Sequence, residues 1–280
     1  MKNPKVVAII QARTGSTRLP SKVLMHIVGK PMLWHVIDRL KHCKNVDLVV
    51  VASTVKDSDK PVLELAEESG AGTFAGSEDD VLDRYYQAAK KFDADVIVRI
   101  TADCPLIDPE MVDHLVAYFK NNKIDYFNTG PSFPEGVDTE VFSFAALETS
   151  WKKAEKHYER EHVSMYIHGH PEEFKIACIE NESDMSDIRF TVDTQEDFIV
   201  VTKIFENLYR ESQVFHLQQT VDFLKSHPEI AIINKDIVRN EGFISSLKKE
   251  GIDINSPDVP CHNWIGKYVL SKKGKQGSQK

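Results

Sequence analysis

The sequence lacks the features that mark several specialised classes of protein. Its four cysteines, Cys43, Cys104, Cys178 and Cys261, lie far apart and form no CxxC pair. This spacing argues against a disulfide framework and against a structural zinc site. No apolar run approaches the roughly 20 residues that span a bilayer, and the run near the N-terminus is too short for a signal peptide. We therefore expect a cytoplasmic protein with free thiols and no membrane partner.

There is also no surplus of positive charge. Lys and Arg number 35 against 43 Asp and Glu, which gives a formal net charge of −8. A surface for nucleic acid would need a strong local basic cluster. We find none apart from the C-terminal segment SKKGKQGSQK, and we expect no nucleic-acid partner.

Two familiar phosphate-binding motifs are missing as well. The P-loop requires GxxxxGK[ST], and the dinucleotide-binding fold requires GxGxxG after its first strand. Neither pattern occurs in the sequence. These absences argue against a P-loop kinase or ATPase and against a Rossmann dehydrogenase.

Apolar segments of strand length alternate with helical patterns through the first 122 residues. Residues 6–10, 48–52 and 95–101 have the composition of buried strands. Between and after them, Ser77 is expected to cap one helix, with Asp80 as a variant of the capping box, and Asp108 to cap another. The alternation predicts an α/β fold, with a mostly parallel sheet and helices on both faces.

The pattern changes after residue 122. A turn-rich and then alternating segment predicts a small antiparallel excursion, followed by helices near 143–156 and 159–168. The segment IRFTVDT predicts another strand, after which Thr194 caps a long helix. We expect a core domain over 1–212 with the excursion at about 125–190. A C-terminal helical extension over 213–265 and a disordered tail over 266–280 complete the predicted organisation.

The loop that follows the first strand, QARTGSTRLPSK, combines three cations with small residues. In open parallel sheets, ligands bind beyond the carboxyl ends of the strands, where such a loop can direct backbone N–H groups at an anion. Gly15 and Ser16 allow close approach, and Arg13, Arg18 and Lys22 supply separated charges that suit a triphosphate. A solvated surface loop is the alternative explanation of the same charges.

This loop, followed by GKPMLWHVIDRL, resembles the start of the sugar nucleotidyltransferases related to CMP-Kdo and CMP-sialate synthetases. Further segments resemble, in order, the SpsF-like cytidylyltransferases: GSEDDVLDRYYQAA, VRITADCPLIDP, EREHV, FTVDTQEDF and NKDIVRNEGF. The resemblance covers roughly residues 5–250. It implies a Rossmann-like nucleotide-diphospho-sugar transferase fold. It also implies transfer of CMP from CTP to a sugar acid, with release of pyrophosphate, for surface polysaccharide biosynthesis.

The resemblance assigns residues to the nucleotide. Arg13 and Lys22 would hold the β and γ phosphates and stabilise the leaving pyrophosphate. The other residues that match nucleotide-binding segments are Gln11, Ala12, Gly15, Ser16, Arg18, Ser77, Arg84 and Thr101. Ser77 is equally explained as a helix cap and Arg84 as a surface cation, and Thr101 replaces a glutamine of the Kdo enzymes.

The resemblance also implies a Mg²⁺ cofactor. Asp103, two residues past a predicted strand, and Asp193, in FTVDTQEDF, match the two metal-binding carboxylates of the family. Mg²⁺ prefers such oxygen ligands, and a cation stabilises the charge that grows on the phosphoryl oxygens. We therefore expect Arg13, Lys22 and Asp103 to be catalytic. An aspartate that ends a strand is also a common turn or cap residue.

The expected acceptor site rests on two segments typical of the SpsF-like group. Asp138 and Glu140 would share one face of a strand, and Arg160, Glu161 and His162 would lie near a helix start. Arg160 is the nearest cation for the carboxylate of a sugar acid. His162 is expected to orient a sugar hydroxyl or act as a base, although a packed structural histidine is the alternative.

Other functions remain open at this point. A guanylyl-transferring relative would use GTP, and a metal-dependent glycosyltransferase would use a nucleotide sugar. Such transferases bind metal through a DxD motif, and Asp57/Asp59 and Asp93/Asp95 have that spacing. A nucleotide-binding scaffold without catalysis is a further alternative. The resemblance implies a homodimer that forms through residues 125–190.

Overall fold

The fold is described from a computed structural model that defines residues 3–253 and 267–269. The strands in these ranges are β1 (Val6–Gln11), β2 (His26–Ile27), β3 (Lys30–Pro31), β4 (Leu48–Thr54), β5 (Gly72–Gly76), β6 (Val96–Thr101), β7 (Tyr126–Thr129), β8 (Glu140–Ser143), β9 (Ile176–Glu180) and β10 (Lys267–Val269). The α-helices are α1 (Met32–Lys41), α2 (Lys60–Glu68), α3 (Val81–Lys91), α4 (Pro109–Asn121), α5 (Phe144–Lys153), α6 (His157–Glu161), α7 (Met165–Gly169), α8 (Gln195–Leu208), α9 (Leu217–Ser226), α10 (Pro228–Ala231) and α11 (Glu241–Lys249).

Eight of these strands form one mixed sheet in the order β10-β9-β7-β8-β6-β1-β4-β5. All neighbouring pairs are parallel except those of β8, which runs antiparallel to β6 and β7. Strands β2 and β3 form a separate small hairpin. The predicted α/β fold with a mostly parallel sheet and an antiparallel excursion is therefore confirmed.

Both faces of the sheet are buried. Side chains alternate along β1, so that Ala8 and Ile10 join the apolar cluster with α1, α4 and α8, whereas Val7 and Ile9 join the cluster with α3, α5 and α7. Near-continuous apolar strands are typical of parallel sheets covered on both sides. Phe215, just before α9, and Val221, within α9, belong to the first of these clusters. The first helix of the C-terminal extension thus packs on the main core.

Two helix predictions need correction. Helix α3 begins at Val81, and its N-cap is Asp80, whose carboxylate accepts from the Asp83 N–H. Ser77 instead lies one turn earlier, where its hydroxyl accepts from the Asp80 N–H. The single helix predicted over 159–168 is broken into α6 and α7, because Val163 between them has a positive φ of 53°, a conformation that ends a right-handed helix.

Two strand predictions are also wrong. The segment 188–194 forms only an isolated bridge, between Arg189 and Glu135. Its alternating side chains Phe190 and Val192 are buried, but no strand within residues 3–253 or 267–269 pairs with the rest of the segment. Strand β8 begins at Glu140, so that Asp138 precedes it.

The remaining expectations concern the termini, the cysteines and membranes. Residues 267–269 of the predicted tail form the edge strand β10, and the rest of the tail, like Cys261, lies outside the described residues. Cys43, Cys104 and Cys178 are buried and are not in disulfides. None of the helices in the described ranges is long and apolar enough to cross a membrane.

Candidate functional site

Lys22 lies at the centre of the candidate site. Its ammonium donates to the Asp103 carboxylate at 2.9 Å, to the Asp193 carboxylate at 2.7 Å and to the Val192 carbonyl at 2.8 Å. The lysine is 7% exposed. Three segments far apart in the sequence therefore meet at one cation.

The strand order explains this meeting. Strands β1 and β6 are parallel neighbours, with Gln11 opposite Thr101, so that the loop after β1 and the residues after β6 emerge side by side. Within the loop, the Ser21 N–H donates to the Thr14 carbonyl at 3.0 Å, which closes the loop before Lys22. Ser21 itself has a positive φ of 56°. The 192–193 segment is joined to the site by the Val192 N–H, which donates to the Asp103 carbonyl at 2.8 Å.

The charges of Lys22 and its two carboxylate partners, Asp103 and Asp193, stabilise one another. Burial lowers the pKa of Lys22, but the attraction of Asp103 and Asp193 outweighs it and the pKa stands above its ordinary value. Burial likewise raises the pKa of Asp103, yet the Lys22 ammonium prevails and holds it at about 2. Lys22 and Asp103 are therefore both charged at neutral pH.

A second buried network holds Asp193 from the other side. The Arg189 guanidinium donates to Asp193 at 2.8 Å, to Asp197 at 3.0 Å and to Glu135. Asp197 is fully buried and also accepts from the Asp193 N–H at 3.0 Å. Because Lys22 and Arg189 each bind a different oxygen of Asp193, the orientation of this carboxylate is fixed.

The two arginines of the loop pair with carboxylates from different parts of the chain. Arg18 lies 3.0 Å from Asp193 and also pairs with Glu241 of α11. Arg13 lies 3.2 Å from Glu78, which pairs in addition with Lys56. Both arginines are partly exposed, so that an incoming anion can reach them.

The other predicted nucleotide residues lie around this loop. Arg84 is buried, and its guanidinium donates to the Ser77 carbonyl at 2.7 Å, whereas its Nε has no hydrogen-bond partner among the residues that the structure describes. Burial lowers its pKa. In the described part of the chain no carboxylate lies within ion-pair distance of this guanidinium. Arg84 is thus a buried cation that forms no ion pair with any other described residue.

The remaining loop residues supply backbone and small side chains. Ala12 is buried, and its N–H donates to the Ala52 carbonyl at 3.3 Å. The Ser16 hydroxyl accepts from the Leu19 N–H at 3.3 Å. A Cβ at Gly15 would make ordinary van der Waals contacts with Glu78 and Arg13, at 3.7 and 3.9 Å. The backbone at Gly15 is not in a conformation that requires glycine, and the space beside it is open. Thr101 lies 3.1 Å from the Cys104 sulfur, and burial raises the pKa of that thiol.

On the predicted acceptor side, Glu140 pairs across strands with Arg99. The two residues are direct neighbours in the β6–β8 register, and both side chains are largely buried. Gln11 accepts from the same guanidinium at 3.3 Å. Asp138, by contrast, is half-exposed, accepts from the Gly136 N–H at 2.7 Å and lies 3.8 Å from Arg239.

The EREHV residues divide between two environments. Arg160 donates to the Asp80 carboxylate at 3.0 Å and to the Trp151 carbonyl at 2.8 Å, so that its donors are used within the protein. Glu161 and His162 both contact Ser246 of α11, at 2.7 and 3.0 Å. The side chain of Arg160 therefore contacts a different part of the protein from the side chains of Glu161 and His162.

The DxD pairs lie in structural positions. Asp59 accepts from the Thr14 N–H and hydroxyl, both at 2.7 Å, and thereby supports the loop after β1. Asp95 precedes β6 and accepts from the Lys5 N–H at 2.7 Å, at the opposite end of the strand from Asp103. Neither pair offers two free carboxylates.

The donor set suits a magnesium ion that arrives with phosphates. The described residues hold no cluster of three or more His, Cys, Asp or Glu side chains that could bind a metal. Asp103 and Asp193 nevertheless converge on one ammonium, and both are partly exposed. Mg²⁺ is commonly bound by one or two carboxylates, with substrate phosphates and waters as the other ligands. The residues present therefore fit this ion.

Several residues of the site were not predicted from the sequence. Arg99 and Arg189 are single cations within otherwise apolar segments, and this interruption is a signal that sequence reasoning could have used. Asp197 looks like an ordinary first-turn helix residue, and Ser246 carries no signal at all. Their roles depend on contacts between distant segments.

The chain is similar to known proteins over most of its length. A family model described as cytidylyltransferase matches residues 7–237. An uncharacterized protein of Methanocaldococcus jannaschii is 41% identical over 237 residues, which cover 83% of this chain and 96% of that protein. The spore coat polysaccharide biosynthesis protein SpsF of Bacillus subtilis is 29% identical over 233 residues, which cover 81% and 96%.

Two solved structures have a similar fold. A cytidylyltransferase from Leptospira borgpetersenii is 35% identical with a TM-score of 0.78, covering 82% of this chain and 97% of that one. A CMP:2-keto-3-deoxy-manno-octonic acid synthetase complexed with CTP is 20% identical with a TM-score of 0.57, covering 73% and 100%. The second likeness concerns the fold alone.

Proposed function

The chain belongs to the cytidylyltransferase family, and we propose that it transfers CMP from CTP to a hydroxyl of a sugar acid, releasing pyrophosphate, for surface polysaccharide biosynthesis. The observation that carries this proposal is the meeting of Lys22 with Asp103 and Asp193 beyond the carboxyl ends of β1 and β6. Ligands of open α/β sheets bind at this edge. A cation and two carboxylates there suit a metal-bound triphosphate.

The cations of the loop would bind the β and γ phosphates. Arg13, Arg18 and Lys22 each face a carboxylate in the free protein, so that phosphate oxygens would replace carboxylate oxygens around the same donors. Charge-assisted hydrogen bonds of this kind are among the strongest in proteins. The same donors would stabilise the pyrophosphate as it leaves.

Asp103 and Asp193 would hold Mg²⁺. When bound, the ion would neutralise charge on the phosphates and polarise the phosphorus under attack. Arg189 would keep the Asp193 carboxylate in position, because it binds the oxygen that Lys22 leaves free.

The choice of CTP and of a sugar acid rests on relatives. One similar protein is named for spore coat polysaccharide biosynthesis, and a structure with a similar fold is a sugar-acid synthetase complexed with CTP. The buried polar pair Arg99 and Glu140, beside Gln11, would offer donors and acceptors to the hydroxyls of such an acceptor.

Pyrophosphate release tests the proposal directly. The protein is incubated with Mg²⁺, each of the four nucleoside triphosphates and a panel of 2-keto-3-deoxy sugar acids and neutral sugars. We expect release with CTP and a sugar acid. Release with GTP in place of CTP would make the protein a guanylyltransferase, and release from no triphosphate would contradict the proposal.

The variant Asp103→Asn tests the metal assignment, with Asp57→Asn, an exposed aspartate, as its control. We expect Asp103→Asn to lose turnover and to weaken Mn²⁺ binding in the presence of CTP, measured by electron paramagnetic resonance. Circular dichroism would verify that both variants are folded. An Asp103→Asn enzyme with a near-normal rate would show that the metal is bound elsewhere.

A further inference from the structure

Helix α11 lies against the candidate site, although it follows the residues that the family model matches, 7–237. Glu241, at its first position, pairs with Arg18 of the loop after β1. Phe243 packs edge-on against His162, with ring centroids 5.1 Å apart. Leu247 is buried with Tyr158 in a small apolar cluster. This helix, which follows residues 7–237, therefore contacts both the phosphate side and the predicted acceptor side.

Ser246 of this helix joins Glu161 to His162. Its hydroxyl lies 2.7 Å from a Glu161 carboxylate oxygen and 3.0 Å from His162 Nε2. A carboxylate can only accept, so that Ser246 donates its single proton to Glu161; the Gly242 carbonyl, at 3.1 Å, is the weaker acceptor. Ser246 must then accept from His162, which places the imidazole proton on Nε2 and leaves a lone pair on Nδ1.

The strained backbone beside His162 helps to hold this residue in position against Ser246. Val163 has a positive φ of 53°, and the Ser164 N–H donates to the His162 carbonyl two residues earlier. This hydrogen bond closes a three-residue γ-turn of the rare, positive-φ form. A β-branched residue in such a conformation costs free energy and persists where the surroundings require it. His162 is thus held by its backbone as well as by Ser246.

The imidazole is close enough to the Arg99–Glu140 pair for both charges to influence the pKa of His162. Arg99 stands two residues before Thr101 on β6, and its guanidinium donates to Glu140 of β8 and to Gln11 of β1. His162 is 22% exposed on its side chain, whereas Ser246 is buried. A ligand can therefore reach the histidine but not the serine behind it.

From these contacts we infer that Ser246 is a positioning residue, which holds His162 so that Nδ1 accepts a hydrogen bond from a hydroxyl of a polyhydroxylated acceptor substrate beside Arg99 and Glu140. The inference rests on the proposed function and assigns part of its acceptor site to α11. Among the described residues, the Ser246 hydroxyl hydrogen-bonds with Glu161, His162 and the Gly242 carbonyl of its own helix, and none of these is a residue that we assign to the nucleotide.

Steady-state kinetics of pyrophosphate release test the inference. We expect Ser246→Ala to raise the acceptor KM about fivefold, the value that corresponds to one lost hydrogen bond of about 1 kcal/mol, with the CTP KM unchanged. Ser246→Thr, which keeps the hydroxyl, should restore the acceptor KM. Ser245→Ala is the matched control, since Ser245 is the exposed neighbour on the same helix.

A measurement on the unmodified protein covers the case in which Ser246→Ala does not fold. Nitrogen-15 spectra of the imidazoles should show His162 protonated on Nε2 and unprotonated on Nδ1 at pH 7. The opposite tautomer would overturn the inference, as would equal acceptor KM values for Ser246→Ala and Ser245→Ala. Absence of CTP-dependent release by the wild-type protein is a different result; it would overturn the proposed function and, with it, the acceptor role of His162.

Discussion

The Lys22 ammonium lies 2.9 Å from the Asp103 carboxylate, although 81 positions separate the two residues in the chain. The contact exists because the loop after β1 and the residues after β6 leave adjacent parallel strands. Lys22 makes the same contact with Asp193, 171 positions away. One buried cation therefore holds together the two carboxylates that we assign to the metal.

Replacing Lys22 by Met should damage both activity and stability. We expect kcat/KM for pyrophosphate release to fall at least about a hundredfold, since a preorganised phosphate ligand is lost. The free energy of unfolding should fall by about 3 kcal/mol, because two carboxylates lose their shared partner. Urea unfolding measures the second effect, and Lys60→Met, which alters an exposed pair, is the control. A fully active Lys22→Met enzyme would exclude the phosphate role.

Acid should weaken the fold through Asp103. Its pKa of about 2 lies below the ordinary value of 3.8, because Lys22 outweighs the effect of burial. A carboxyl group with a lowered pKa contributes stability above its unfolded pKa and loses it as the pH falls from about 4 to about 2. Asp103→Asn should therefore flatten the loss of stability in that window, measured by acid unfolding, whereas Asp57→Asn should not.

His162 should add a second, milder dependence on pH. Burial lowers its pKa to about 4, below the ordinary value of about 6.5. Its contribution to stability is complete above pH 6.5 and is lost as the pH falls from 6.5 towards 4. Urea unfolding of His162→Gln across this range should show a smaller decline than the wild type. If stability declined with pH in His162→Gln as much as in the wild type and in the exposed control His26→Gln, the loss of stability could not be assigned to His162.

Arg84 should show opposite effects on stability and function. Its buried guanidinium has a carbonyl partner but no counter-ion within ion-pair distance among the described residues, and an uncompensated buried charge destabilises a fold. We expect Arg84→Met to unfold at equal or higher urea concentration while its CTP KM rises about tenfold. Arg39→Met is the contrast, since Arg39 donates to the carbonyls of Ile107 and Phe215. That variant should lose stability and keep its CTP KM.

The sequence could predict the parts of the site that depend on local motifs. The α/β fold, the cationic loop and the position of Asp103 after its strand follow from periodicity and from the resemblance to a family. The cross-strand pair of Arg99 and Glu140 could not be predicted in the same way, because its register is set by the whole sheet. Segment 188–194 alternates like a strand, yet Arg189 pairs with three carboxylates, and among the described residues the segment forms only one isolated bridge.

The pairing of Arg18 with Glu241 has a consequence for the end of the catalytic cycle. Arg13 with Glu78 shows the same arrangement. Under the proposed function, these glutamates would act as internal counter-ions that rebind the arginines as pyrophosphate departs. The loop would then return to its resting state without exposed, unpaired positive charge, which would limit retention of the product. In that case the protein carries its own competitor for the ligand that it must release.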